Sequence, residues 1–391
     1  MEVYFDNAAT TRIDENVEKE INNINHILYG NPSAMHRAGY LAEEKVKEAS
    51  EIISNIINCD KSEIIWTSGG TESNNMAIKG YVSAYKKTAN KIITTKIEHP
   101  SVYKVFQSLE NEGLDVVYLD VDSEGHIDIE RLKNIVDENT LLVSIMYVNN
   151  EIGSVQKIDE IGNIIKDKNN KCAFHVDFVQ GFSKYRINVK KSKIDFLSIS
   201  SHKFYGPKGV GVLYRNKNIR LNPLIVGGSQ QNDLRAGTLN VPGIVGTGVA
   251  ASMAYKIIDA EFERLKNLKD YLITKLLEIN KLYDIIMINS KCDDGFAPHI
   301  ISITFKGIRS EVLLHALEDR GIYVSAGSAC SSHDKKISRT LNSIGLKNEM
   351  AQNTIRISFG KYNTKEEIDF FIEEISKLIP KLCISQKFNK K

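Results

Sequence analysis

A lysine at the end of an apolar run is the residue around which chemistry can be built in this chain. Lys203 lies in L-S-I-S-S-H-K-F-Y-G-P-K-G-V-G-V-L-Y (197–214), which reads as a strand, a tight polar turn and a second strand. Gly206, Pro207, Gly209 and Gly211 set that turn with little side-chain bulk. An amine held at a strand end can lose part of its proton affinity, and a neutral amine attacks carbonyls. A lone turn lysine is ordinarily a solvated one. What Lys203 does therefore depends on what the rest of the chain brings beside it.

The elements that must position it alternate along the first 240 residues. Strand patterns at 64–67, 91–95, 115–119, 141–147 and 173–176 are separated by helical patterns at 76–87, 102–112, 129–136 and 158–168. With the two strands around Lys203 they predict a seven-stranded, mainly parallel sheet covered by helices on both faces, an α/β fold. The last two strands have only the tight turn between them, so their pairing is expected to be antiparallel. A helical segment is expected from Asn31–Ser33 to about residue 55, and a long helical region from Val245. Leu265, Leu268, Leu272 and Leu276 then recur at helical spacing. Beyond them the pattern becomes α+β. The expected division is a large domain, 13–258, and a small α+β domain made of 1–12 and 259–391.

Ligands of parallel α/β sheets bind outside the carboxyl ends of the strands, and the polar clusters of the first 240 residues fall there. Gly69, Gly70 and Thr71 follow one strand and open a helix, a site for phosphate. His99 follows the next. Asn149 and Asn150 follow another, Asp177 another with Gln180 three residues on, and Ser200, His202 and Lys203 the last. Each alone fits a cap or a turn. Together they supply a phosphate cradle, a stacking group, a carboxylate and an amine. Those are the requirements of pyridoxal 5'-phosphate (PLP), whose ring nitrogen needs an acid partner and whose aldehyde needs a lysine for its Schiff base.

The motifs Y-F-D-N-A-A-T-T (4–11), G-N-P-S (30–33), T-S-G-G-T-E-S-N-N (67–75), E-H (98–99), V-N-N-E-I-G (148–153), H-V-D-x-x-Q (175–180), S-x-H-K-x-Y-G-P-K-G (200–209), R-A-G-T-L-N (235–240), G-S-A-C-S-S (327–332) and I-R-I-S (355–358) run nearly end to end. On these residues the chain resembles the cysteine desulfurases, in the class V, fold-type I group of PLP enzymes. The resemblance implies that Lys203 holds the cofactor in a Schiff base, Asp177 pairs with the pyridine N–H, and His99 stacks on the ring and moves protons. Gln180 and Asn150 would lie near the phenolic oxygen, with Gly70, Thr71, Ser200 and His202 on the phosphate. Thr238 would reach the phosphate of a neighbouring subunit, which implies a homodimer. Arg356, with Asn31, would hold the substrate carboxylate. Cys330 would take sulfur from L-cysteine as a persulfide, leave L-alanine, and pass the sulfur to an acceptor protein, an iron–sulfur scaffold or a tRNA-thiolation enzyme. A selenocysteine lyase on the same fold, a transaminase and a catalytically silent sulfur carrier remain alternatives.

Composition narrows the partners. Among 391 residues, 51 Lys and Arg face 49 Asp and Glu, and no long block of one sign occurs. That implies no direct nucleic-acid contact and no membrane surface. No apolar run reaches the roughly 18 residues of a membrane span, and no leader pattern opens the chain. Five dispersed cysteines without C-x-x-C imply a reducing, cytoplasmic setting and no metal site. Cys59, Cys172 and Cys292 are expected as buried apolar residues, and Cys383 carries no assigned role. Two departures from the family pattern bear on subtype. G-G-S-Q-Q-N-D-L-R (227–235) lacks a third glycine and an acidic–basic pair. H-D-K-K-I-S-R-T-L (333–341) lacks L-E-P-S after the cysteine, and the chain ends soon after its last helix. The first leaves the subtype open; the second, with the short tail, implies a specialised acceptor.

Overall fold

Seven short strands carry the first half of the chain. The computed structural model describes residues 1–326 and 337–388. After β1 (Val3–Tyr4) come β2 (Ile64–Thr67), β3 (Lys91–Thr95), β4 (Asp115–Leu119), β5 (Thr140–Ser144), β6 (Ala173–Asp177), β7 (Phe196–Ser200) and β8 (Gly211–Arg215). Strands β2 to β8 form one sheet in the order β2-β8-β7-β6-β5-β3-β4. The pairs among β3 to β7 are parallel, whereas β8 is antiparallel to both β7 and β2. The antiparallel step is the one where ten residues join two strands, too few for a crossover helix.

Adjacent residues point into different cores, as strand periodicity requires. Ile93, Val143, Phe174, Leu197 and Val212 join one hydrophobic cluster with Val46, Ile53 and Trp66. Their neighbours Ile92, Leu142, Ala173, Phe196 and Leu213 join another with Met76, Tyr81 and Phe106. Both faces of the sheet are therefore covered, and polar side chains have access to ligand only at its ends.

A third cluster is built from distant parts of the chain. Helix Ile258–Tyr283 buries Leu265, Leu268, Leu272 and Leu276 on one stripe. That stripe packs with strands β9 (Ile286–Ile288), β10 (Ile300–Phe305) and β13 (Thr354–Ser358), and with Val3 and Phe5. The small sheet runs β12-β13-β10-β9, where β12 is Ser325–Ala326; β1 pairs in parallel with β11 (Ile322–Tyr323). Residues 3–5 thus add to a core whose other members lie beyond residue 264.

Several element ends differ from the sequence expectation. The helix expected from residue 76 begins at Gly70, because tertiary packing overrides the poor helix propensity of G-T-E-S-N-N. The helix expected from 31–33 begins at Arg37, where the His36 ring accepts from the Gly39 N–H at 3.3 Å. The region expected from Val245 begins at Val241 behind an Asn240 cap, and it bends by 72° between Val241–Lys256 and Ile258–Tyr283. Among the described residues no single helix is long and apolar enough to cross a membrane. Cys172 is buried as expected, but Cys59 and Cys292 are only partly so, lying at the margins of their packing.

Candidate active site

The polar strand ends meet a loop from the start of the chain. Lys203 closes a 3-10 turn, Ser201–Lys203, directly after β7. Its Nζ donates to the carbonyls of Ala8 at 2.6 Å and Ala9 at 2.8 Å. Gln180 Nε2 donates to the same Ala8 carbonyl at 2.9 Å. Thr11 locks the turn from outside: its N–H and hydroxyl both donate to the His202 carbonyl at 2.9 Å, and the Tyr205 N–H donates to Thr11 Oγ1 at 2.8 Å. That last bond holds Tyr205 at φ 67, a left-handed conformation that costs a non-glycine residue roughly 1 kcal/mol or more. The D-N-A-A-T-T segment is thus a wall of the lysine's site.

Asp177 ends β6 and is 5% exposed. Its Oδ1 accepts from the Val179 N–H at 3.0 Å and its Oδ2 from Asn74 Nδ2 at 2.8 Å. Each carboxylate oxygen retains acceptor capacity for a ring N–H. Asn74 also donates to Ser101 Oγ at 2.8 Å, which lies 2.7 Å from His99 Nδ1. His99 caps helix Pro100–Asn111 at the end of β3. Burial disfavours its charged form; Asp177 opposes that, Lys203 and Arg339 reinforce it, and the net shift is downward. The sheet reverses its direction of growth between β3 and β5, the place where such sheets bind ligands.

Beside Ser200 and His202 lies a cavity of about 370 Å³, whose lining also includes Gly69, Gly70 and Thr71. Helix Gly70–Tyr85 opens onto it with no side chain capping its first turn. Gly69 adopts φ 155, ψ −179, a glycine conformation. A Cβ on Gly211 would lie 2.5 Å from Gly69 Cα, so the β8 backbone can reach the cradle only as glycine. His202 Nδ1 is 3.1 Å from Thr10 Oγ1, and its pKa falls to about 4, first through burial and then through Lys203 and Lys208. Glu72, one residue past Thr71, takes a two-bond contact from Arg235, at 2.8 Å and 3.3 Å. Burial alone would raise its pKa; Arg235 and Ser68 hold it below the usual range.

Arg356 comes from the other sheet. It lies mid-strand on β13, 5% exposed. Its Nη1 donates to the Asn150 carbonyl at 2.7 Å and its Nη2 to Asp6 Oδ1 at 2.7 Å, while its Nε is buried with no hydrogen-bond partner. An orphaned guanidinium edge beside two satisfied ones suits an incoming carboxylate.

Not every residue expected here is joined to this cluster by a hydrogen bond. Asn150 meets Arg356 through its backbone, while the neighbouring Asn149 spends its side chain on the turn, accepting from Glu151 N and Ile152 N at 2.9 Å. Asn31 is exposed and accepts from Ser33 N at 3.0 Å. Thr238 is exposed in the R-A-G-T-L-N segment. Cys330 lies outside the described residues; the helix after it begins at Arg339, whose guanidinium donates to the carbonyls of Lys96 and Glu98. Sequence reasoning assigned nothing to Asp6, Asn74, Ser101 or Arg339. Asp6, Asn74 and Ser101 lie within or beside quoted motifs, which was their only signal.

The donor set fits PLP: an amine, a carboxylate able to hold a cationic ring nitrogen, and an uncapped helix N-terminus beside an open cradle. The model of the aminotransferase class-V family matches residues 3–371. A protein named cysteine desulfurase IscS from Dictyoglomus turgidum is 42% identical over 381 residues, covering 97% of this chain and 95% of that one. A protein of the same name from Buchnera aphidicola is 42% identical over 385 residues, covering 97% and 93%. A solved NifS-like protein superposes with a TM-score of 0.92 at 37% identity, covering 98% of this chain and all of the other. A structure titled SspA in complex with cysteine gives 0.78 at 33%, covering 93% and 100%.

Proposed function

The chain belongs to the aminotransferase class-V family, and from that premise we propose how its residues perform the work of a PLP-dependent cysteine desulfurase. When bound, PLP supplies an electron sink that labilises the Cα–H bond of an attached amino acid. Lys203 would hold the cofactor through Nζ, and the same amine would take the Cα proton. Asp177 would pair with the ring nitrogen through the acceptor capacity its carboxylate retains beside Val179 and Asn74. Gly70, Thr71, Ser200, His202 and the N–H groups of the helix start hold the phosphate. Gln180 shares the Ala8 carbonyl with Lys203, and His99 would stack on the ring.

Substrate orientation falls to Arg356, which offers its Nε edge to the carboxylate of L-cysteine. The Cys330 thiolate attacks the substrate sulfur. A C–S bond breaks, an S–S bond forms, and alanine departs with the proton returned from Lys203. Cys330 is left as a persulfide, from which sulfur passes to an acceptor protein, a scaffold or a tRNA-thiolation enzyme in the cytoplasm. Two domains, 13–258 and 1–12 with 259–391, are supported by the separate hydrophobic clusters. A homodimer is supported by Thr238, exposed on a segment anchored to the cradle through Arg235 and Glu72.

The observation that carries this reading is the Lys203 amine just past β7, the strand beside the one that Asp177 ends, next to a cavity lined by Ser200 and His202, with a buried Arg356 nitrogen left without a partner on the other sheet. The test is alanine release with Cys330→Ala. Activity on cysteine should vanish while the absorbance of bound cofactor persists. Undiminished alanine release from cysteine would refute the persulfide route, and retained activity on selenocysteine alone would identify a lyase.

A further inference from the structure

The bonds around His99 form a directed chain. A carboxylate accepts and does not donate, so Asp177 Oδ2 fixes Asn74 with its amide nitrogen inward at 2.8 Å. The opposite orientation would set two oxygens against each other. Asn74 is fully buried, and its Oδ1 has no hydrogen-bond partner. The amide therefore keeps this orientation although its carbonyl is left unsatisfied, an arrangement that is unfavourable unless the donor side is needed. The second N–H of Asn74 goes to Ser101 Oγ at 2.8 Å. With its oxygen accepting from Asn74, Ser101 has its own hydrogen left for His99 Nδ1 at 2.7 Å. The Ser101 backbone N–H donates to that same nitrogen at 3.1 Å.

That backbone bond alone is an ordinary helix cap. What exceeds a cap is the continuation through two buried side chains to Asp177. We propose that Asn74 and Ser101 are positioning residues that hold the His99 ring in the tautomer with its single proton on Nε2, so that His99 serves as a fixed hydrogen-bond donor and proton carriage falls to Lys203. Two donors sharing the single lone pair of Nδ1 stabilise the neutral ring and lower its affinity for a second proton. Among the described residues, the charged groups facing the ring are Asp177 from β6, Lys203 from the turn and Arg339 from the helix after residue 338; burial and the two cations oppose protonation, and Asp177 favours it. The N-terminal end of helix Pro100–Asn111 adds to the opposition.

The inference rests on the proposed function for the purpose of the site, but its test needs no turnover. Holoenzyme labelled with ¹⁵N-histidine is observed by long-range ¹H–¹⁵N correlation without cysteine, and the His99 signals are identified by their loss in His99→Gln. Wild type should show a protonated Nε2 and a bare Nδ1 from pH 6 to 8. A proton on Nδ1, or an imidazolium at pH 7, would overturn the proposal. Ser101→Ala should raise the protonation midpoint by about one pH unit, tenfold in proton affinity, since one donor to the neutral form is lost. Ser101→Thr should restore it. A midpoint in Ser101→Ala equal to wild type would remove Ser101 and Asn74 from the argument. Because the readout is a nitrogen shift, failure of the desulfurase reading would show separately, in the alanine assay.

Discussion

Replacing Arg356 by lysine isolates the geometry of the guanidinium from its charge. Two of its nitrogens already serve the protein, Nη1 at the Asn150 carbonyl and Nη2 at Asp6, each at 2.7 Å, and the buried Nε has no partner. Lysine keeps the positive charge, so the partly buried Asp6 carboxylate is not left unpaired, a change that would confuse a loss of binding with a loss of folding. What lysine lacks is the planar fork. An ammonium held by Asp6 and the Asn150 carbonyl has one proton left and no second donor at a fixed angle. Losing one charge-assisted hydrogen bond in a dry site costs about 2–3 kcal/mol. That corresponds to a roughly 30- to 150-fold rise in KM for cysteine, with a smaller change in kcat. Alanine release over a range of cysteine concentrations measures it. Cysteamine, which lacks the carboxylate, is the control: discrimination between it and cysteine should shrink by the same factor. A KM within threefold of wild type, or a fall in kcat alone, would refute the assignment.

Two further outcomes follow from positions that carry backbone or burial. Gly211→Ala should weaken cofactor binding at least tenfold in an equilibrium titration, because the new Cβ would lie 2.5 Å from Gly69 Cα and must push the cradle aside; unchanged affinity would show that the cradle yields freely. The second concerns acid stability. His175 is buried between the hydroxyls of Ser144 and Ser198, and burial lowers its pKa to about 3. The unfolded chain, with a histidine near 6.5, then binds a proton that the folded chain does not between those values. Stability contributed by neutral His175 is therefore present above about pH 6.5 and is lost toward pH 3, by about 1.4 kcal/mol per pH unit over most of that window. Urea midpoints of His175→Gln should fall less steeply with acid; an identical slope would exclude His175 as a source.

The strand ends were the legible part of the site. Asp177, Ser200 and His99 each follow a short apolar run, and the rule that ligands gather at such ends places them together without coordinates. The antiparallel β8 was legible from the shortness of the Lys203 turn. Helix starts were not, because Gly70 and Val241 enter helices for reasons of packing that outweigh their neighbours' propensities. Nor were the partners of the functional groups. Asp6 meets Arg356 across 350 residues of sequence, and Asn74 meets Asp177 across 103. No local pattern encodes such a pair. The role of Ser101 depends on an orientation inherited from Asp177 through Asn74, and that emerges only once all three are placed.

The contact of residues 3–11 with both the small-sheet core and the Lys203 turn bears on how the protein is made. β1 pairs with Ile322–Tyr323, and the Ala8 N–H is held by Ser358 Oγ, 350 residues later, while the Ala8 and Ala9 carbonyls hold the amine of Lys203. At about 5–20 residues per second, the opening segment leaves the ribosome roughly 20 to 70 s before Ser358 does. The large sheet closes early from its own strands, whereas the wall behind Lys203 waits for nearly the whole chain. A nascent protein therefore presents the Lys203 amine in an unfinished chamber, and the last strand of the small sheet completes it. Maturation of the site is timed by translation, with the final core acting as its clock.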